Sequence, residues 1–171
     1  DGDCDGESIV RLLRGEETPV HEYVYGAFSN CNILDNQERI YPIRSIRDKD
    51  YTLLWCPNHE SITSNVTLSE ALRMVNEDSV EGGRSVAGSW AKHRKDDPRA
   101  RFLTDRFFHR PEYALYRLAD DPYEENNLID NPEYADVVAR MKTALHARLS
   151  ELGDTDPIAT EKSLVKKRKR K

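Results

Sequence analysis

Two hydrophobic periodicities alternate along this chain, and each predicts its own elements. His21-Glu-Tyr-Val-Tyr-Gly-Ala-Phe28 is dense in aromatic and β-branched residues, which suit a pleated backbone, so it reads as a strand. A polar loop, Ser29 to Glu38, separates it from Arg39 to Arg47, and Asp48-Lys49-Asp50 joins that run to Tyr51 to Cys56. Two apolar runs linked by so short a charged turn form a hairpin. Pro42 has no N–H to give a ladder, so its arm belongs at an edge or starts in a bulge. Tyr113, Leu115 and Leu118 mark a last strand over 112–118, bounded by Pro111 and by the turn residues Asp120-Asp121-Pro122.

Helical spacing governs the remainder. From Asn131 to Leu152 the apolar positions Tyr134, Val137, Val138, Met141, Ala144, Leu145, Leu149 and Leu152 draw one stripe. Asn131 suits the N-cap, Pro132 the first turn and Gly153 the position past the end. This stripe is core for a sheet face. In the middle, Thr67 as N-cap with Glu70 three residues on predicts a capping-box helix carrying Leu68, Leu72 and Val75, closed by Gly82-Gly83. Ser89 to Arg94, anchored by Trp90, and Asp96 to Arg106 read as helical or irregular. Together the elements predict an α+β fold: a small antiparallel sheet of about four strands, near 21–28, 39–47, 51–56 and 112–118, with a long C-terminal helix, 132–152, packed on one face.

Composition adds a constraint. At 171 residues, 37% hydrophobic and 33% charged, the chain suits one domain with a thin core that leans on a partner. It opens on Asp1 without a basic segment before an apolar one, so no signal peptide is expected within it and the true N-terminus is expected upstream. No apolar run reaches the ~20 residues of a membrane span, and no membrane partner is expected. Cys4, Cys31 and Cys56 show no C-x-x-C spacing; they read as free thiols, with room for one bridge in an exported protein. The formal charge is −5, yet seven basic groups between Lys162 and Lys171 leave −12 on residues 1–161. Such a block is a solvated terminus or a polyanion-binding patch.

Chemistry-bearing patterns are sparse. His21, His59, His93, His109 and His146 are scattered without an H-E-x-x-H pair, and phosphate-cradling glycine loops are missing. Asp120-Asp121 and Glu124-Glu125 sit in turn contexts that favour hydrogen bonds to nearby backbone. Arg44, an arginine in an apolar strand, must find a carboxylate, a carbonyl or an anionic ligand.

Three blocks resemble one family. They are Asp5-Gly6-Glu7-Ser8 through Leu12-Leu13-Arg14-Gly15-Glu16; Tyr41-Pro42-Ile43-Arg44-Ser45-Ile46-Arg47 with Tyr51, Leu53 and Leu54; and Glu112-Tyr-Ala-Leu-Tyr-Arg-Leu118 through Asp121-Pro122, Glu125 and Asn127-Leu128. In order and spacing they are similar to the C-terminal subdomain of the type I, formylglycine-dependent sulfatases. An insertion at 57–109 is similar to the branch around heparan N-sulfatase (N-sulfoglucosamine sulfohydrolase). The resemblance implies a division into a linker and docking turn (1–20), the subdomain (21–153) and a disordered basic tail (154–171). It implies that calcium and formylglycine belong to a missing N-terminal catalytic domain, that this domain and a sulfated glycan are the partners rather than nucleic acid, and that the parent is exported, periplasmic or lysosomal. No Cys or Ser here carries the Cys/Ser-x-Pro-x-Arg motif: Cys4, Cys31 and Cys56 are followed by Asp-Gly-Glu, Asn-Ile-Leu and Pro-Asn-His. No catalytic or metal-binding residue is therefore expected in this chain, which alone should be inactive. Arg44, in register with a family arginine, and Asn30 and Asn32, in the loop before it, are the candidate substrate contacts. The competing reading is a stand-alone module that binds polyanions, sulfated polysaccharide or nucleic acid, through its basic tail.

Overall fold

In the computed structural model, which describes residues 8–16, 21–31, 40–63 and 68–168, four antiparallel strands lie in chain order: β1 (Val24–Cys31), β2 (Ile40–Arg47), β3 (Tyr51–Trp55) and β4 (Tyr113–Arg117). The predicted hairpin is β2–β3. Its turn is fixed by Asp48, whose Oδ1 accepts from the amides of Asp50 at 2.9 Å and Tyr51 at 2.7 Å. Burial by itself would raise the Asp48 carboxyl; those two amides and Arg140 overcome it and hold the group below its ordinary value. The register sets Ile46 opposite Leu53 and Leu53 opposite Leu115, so three apolar side chains share one face. Helix α5 (Ala135–Glu151) covers that face with Met141, Leu145 and Leu149, and all six residues are buried together.

Several boundaries moved, each for a local reason. Strand β1 begins at Val24 and runs to Cys31, beyond the predicted 21–28, because Pro42, Tyr41 and Ile40 of β2 offer partners to Ser29, Asn30 and Cys31. Pro42 is tolerated since it lies past the stretch of β2 that pairs with β3, Arg44 to Arg47. The predicted 132–152 helix starts as a 3₁₀ turn, Pro132–Tyr134, with the Asn131 side chain accepting from the Glu133 amide at 3.1 Å. Where a disordered tail was expected over 154–171, helix α6 (Pro157–Arg168) forms. Its first turns hold Pro157 and Glu161 buried against the molecule, and the basic block begins only after them, at Lys162. Within the segment expected to be a linker and docking turn, 1–20, a one-turn helix α1 (Val10–Leu13) forms, with Gly15 just past it at φ +83°.

The segment between β3 and β4, expected to be an insertion, folds as α2 (Ser69–Asn76), α3 (Val86–His93) and α4 (Pro98–Phe108) around its own core of Leu68, Ala71, Met74, Ala91 and Phe108. Trp90 packs on Phe107, ring centroids 5.2 Å apart. The expected capping box is replaced. Leu68 stands at the N-cap of α2 without a side-chain cap, and Thr67 lies outside the described residues. Glu70 instead reaches forward to the next helix. Its Oε1 accepts from the amides of Gly83 at 3.1 Å and Arg84 at 3.2 Å, and its Oε2 from the Ser85 amide at 2.9 Å and hydroxyl at 2.8 Å. Ser85 in turn caps α3 through the Gly88 amide. The Ser85 amide first, then the Ser85 hydroxyl and the amides of Arg84 and Gly83, hold the Glu70 carboxyl down at about 2.

Candidate functional site

The two edges of the sheet are built differently. Along β4, Asn127 and Leu128 stand in for another strand: the Leu115 amide donates to Asn127 Oδ1 at 2.9 Å, and the Leu128 amide donates to the Leu115 carbonyl at 2.8 Å. Strand β1 is the opposite edge, and among the described residues no strand pairs with its outer side. Register places Val24, Gly26 and Phe28 with Ser45 and Ile43 on the face turned away from α5. Val24 is 64% and Phe28 60% exposed. Ile9, Val10, Leu12 and Leu13 around α1 are exposed as well. Exposed apolar groups beside an unpaired strand edge, as at Val24 and Phe28, mark an interaction surface.

Arg44 is buried on the α5 side of β2, and its guanidinium is engaged within the chain. Nε donates to Asp154 Oδ2 at 2.5 Å, and Nη1 stands 3.5 Å from Glu161 Oε1. Of the partners open to a buried arginine, the structure supplies two carboxylates, from the α5–α6 link and from α6. They clamp α6 onto the sheet. Asn30 lies on β1 opposite Tyr41, and Asn32 lies outside the described residues. The three candidate contacts are therefore not brought together as a site.

A hollow that the sequence did not point to lies on the other face of the sheet, between α4 and strands β3 and β4. It has a volume of about 230 Å³. Leu54, Leu103, Phe107 and Ala114 give it apolar walls, Cys56 and Tyr116 line it too, and Arg106 and Arg110 bring the only charges among the described residues. Arg106 is pinned: a guanidinium N–H donates to the Glu124 carbonyl, and the group lies over the Tyr116 ring, 5.8 Å from its centre. Arg110 is held more weakly: its guanidinium hydrogen-bonds the Cys56 thiol, its Nε is buried with no hydrogen-bond partner, and among the described residues it makes no ion pair. Burial pushes the Cys56 thiol up, with the adjacent Arg110 opposing, and pushes the Tyr116 phenol up, with Arg106 opposing. The lining comes from three separated stretches, which is why no contiguous motif announced it; Arg106-Phe-Phe-His-Arg110 beside Pro111 is the one local signal.

Other polar groups have local tasks. Asp121 accepts from the amides of Glu125 at 2.9 Å and Asn126 at 2.8 Å, the turn role its context predicts. His146 Nε2 is 2.7 Å from the Tyr113 hydroxyl and its ring packs edge-on against Trp55. Cys56 is a free, buried thiol; Cys4 and the Cys31 side chain fall outside the described residues. Among the described residues, no three His, Cys, Asp or Glu side chains converge as metal ligands would. None of their helices is long and apolar enough to cross a membrane.

No family model matches the chain. Over 153 residues, 89% of its length, it is 31% identical to the ulvan-active sulfatase of Formosa agariphila, and it spans 26% of that protein. Two solved structures align with it at a TM-score of 0.49 and 17% identity, over 90% of this chain and 22% of theirs: a candidate sulfatase from Bacteroides thetaiotaomicron and BT1596, a 2-O GAG sulfatase. The chain thus corresponds to about a quarter of the sulfatase it matches in sequence.

Proposed function

We propose that this chain is the C-terminal part of a sulfatase that hydrolyses sulfate esters or sulfamates of a sulfated glycan, and that it supplies structure and a docking surface rather than the reacting groups. The observation that carries this reading is 31% identity along 89% of the chain to a sulfatase of which it spans only 26%. The open β1 edge and its exposed Val24 and Phe28 fit a polypeptide whose remainder covers them. That remainder would bring calcium and formylglycine: a hydrated aldehyde supplies the attacking oxygen, and cationic groups neutralise charge developing on the sulfuryl group. The described residues offer no ligand set for the ion, so no catalytic step is assigned to them. A sulfated polysaccharide substrate is supported by the activity on ulvan that the Formosa relative's name records. The helical insertion between β3 and β4 supports the finer placement near heparan N-sulfatase.

The test begins with the coding sequence upstream of Asp1, where a Cys/Ser-x-Pro-x-Arg motif is expected. Sulfate release from an aryl sulfate is then measured for the longer polypeptide and for residues 1–171. Turnover by the first and none by the second is the expected outcome. Upstream sequence without the motif, or calcium-dependent turnover by the 171-residue chain, would overturn the proposal. Comparing a sulfated polysaccharide with an N-sulfated amino sugar as substrates decides between ester and sulfamate.

A further inference from the structure

We propose that the hollow between α4 and strands β3 and β4 binds a small oxyanion, a carboxylate or a sulfate, carried on a flat apolar ring, with Arg110 as its charge contact. The proposal rests on the hollow itself and stands apart from the enzyme reading above.

Charge is the first argument. In a chain of formal charge −5, this hollow is lined by two guanidinium groups and no carboxylate. Its two other titratable side chains do not neutralise them, because burial raises both Cys56 and Tyr116 and keeps them protonated near neutral pH. Arg110 is the second argument. Among the described residues its guanidinium has only the Cys56 thiol, a weak acceptor, as a hydrogen-bond partner, and a planar guanidinium fits a carboxylate or sulfate through two parallel hydrogen bonds. The pinned Arg106 sets a second positive charge on the wall before any ligand arrives, so little ordering accompanies binding.

Shape is the third. The walls of Leu54, Leu103, Phe107 and Ala114 are apolar, and aromatic faces at Phe107 and Tyr116 suit a ring. At about 230 Å³ the space falls below the ~300–1,000 Å³ of sites for drug-sized ligands, which limits the occupant to a single ring rather than an extended chain. Inorganic sulfate would satisfy the charge and leave the walls wet.

Titrating the isotope-labelled 171-residue chain with benzoate, phenyl sulfate, inorganic sulfate and benzyl alcohol tests this by amide chemical shifts. Benzoate and phenyl sulfate should move the signals of Leu54, Cys56 and Ala114 and give ring contacts to Phe107 or Tyr116 in cross-relaxation spectra. Inorganic sulfate and the neutral alcohol should bind at least tenfold more weakly. Arg110→Met should weaken the ring anions at least tenfold, with Arg110→Lys in between, while signals distant from the hollow stay in place. Should Arg110→Met not fold, the ranking of the four probes on the unaltered chain decides. Equal binding of benzyl alcohol removes the charge contact, and equal binding of inorganic sulfate removes the ring. Absence of shifts at these three amides, or a folded Arg110→Met that binds benzoate unchanged, overturns the site.

Discussion

The β4 side of the sheet is finished from within the chain, and the β1 side is not. Around β4, Asn127 and Leu128 satisfy the outward groups of Leu115, and α5 seals Ile46, Leu53 and Leu115 under Met141, Leu145 and Leu149. Around β1, an eight-residue strand has an edge that no other strand among the described residues pairs with, and it leaves Val24 and Phe28 in solvent. A long open edge is a template for unwanted pairing, and natural sheets blunt it with charge, proline or a cover. Neither Val24 nor Phe28 does so. The difference separates the side that the described residues close from the side that they leave open.

The most severe way to break the closed side is to take away the charge that clamps α6. Arg44→Met removes the buried guanidinium that Asp154 and Glu161 share and is expected to cost about 3–5 kcal/mol in denaturant titration. A cost near zero would mean that the clamp is not formed in solution. Next, Leu145→Ala opens a cavity under the sheet and should cost about 2–5 kcal/mol, whereas a helix only waiting for a partner would lose almost nothing.

Glu70 sharpens the comparison within the insertion. Its folded value of about 2 lies below the usual 4.5, so its stabilising effect is complete above the usual value and is lost as pH falls from about 5 toward 2. Melting temperatures measured over that range should fall more steeply for the unaltered chain than for Glu70→Gln. Parallel curves would show that the carboxylate does not hold the α2–α3 link. The smallest effects belong to the open parts. Phe28→Ser should change stability by no more than about 0.5 kcal/mol, as exposed positions do. A larger loss for Phe28→Ser would show that β1 is already covered.

The sheet was legible because its signals are local. Alternation, the Asp48-Lys49-Asp50 turn and the stripe from Val138 to Leu149 are each contained in one stretch, and the register follows once one face is apolar. Features made by distant partners were not. Glu70 sits three residues after Thr67 and so imitates a capping box, but the amides it serves lie at 83–85. Helix α6 reads as tail because its Lys/Arg block outweighs the docked turn, whose anchor is an ion pair to Arg44 more than 100 residues earlier. The hollow at Arg110 was hidden for the same reason, since Leu54, Phe107 and Ala114 meet only after the sheet and α4 have packed.

Amide hydrogen exchange over Val24 to Cys31, compared between residues 1–171 and the longer polypeptide that includes the sequence upstream of Asp1, tests most directly that the open side is an interface to the rest of the protein. The account predicts fast exchange for the β1 amides that face away from β2 in the short chain, beside slow exchange at the covered Leu115, and at least tenfold slower exchange at those β1 amides in the longer polypeptide. Equal exchange of the β1 amides in both would contradict it.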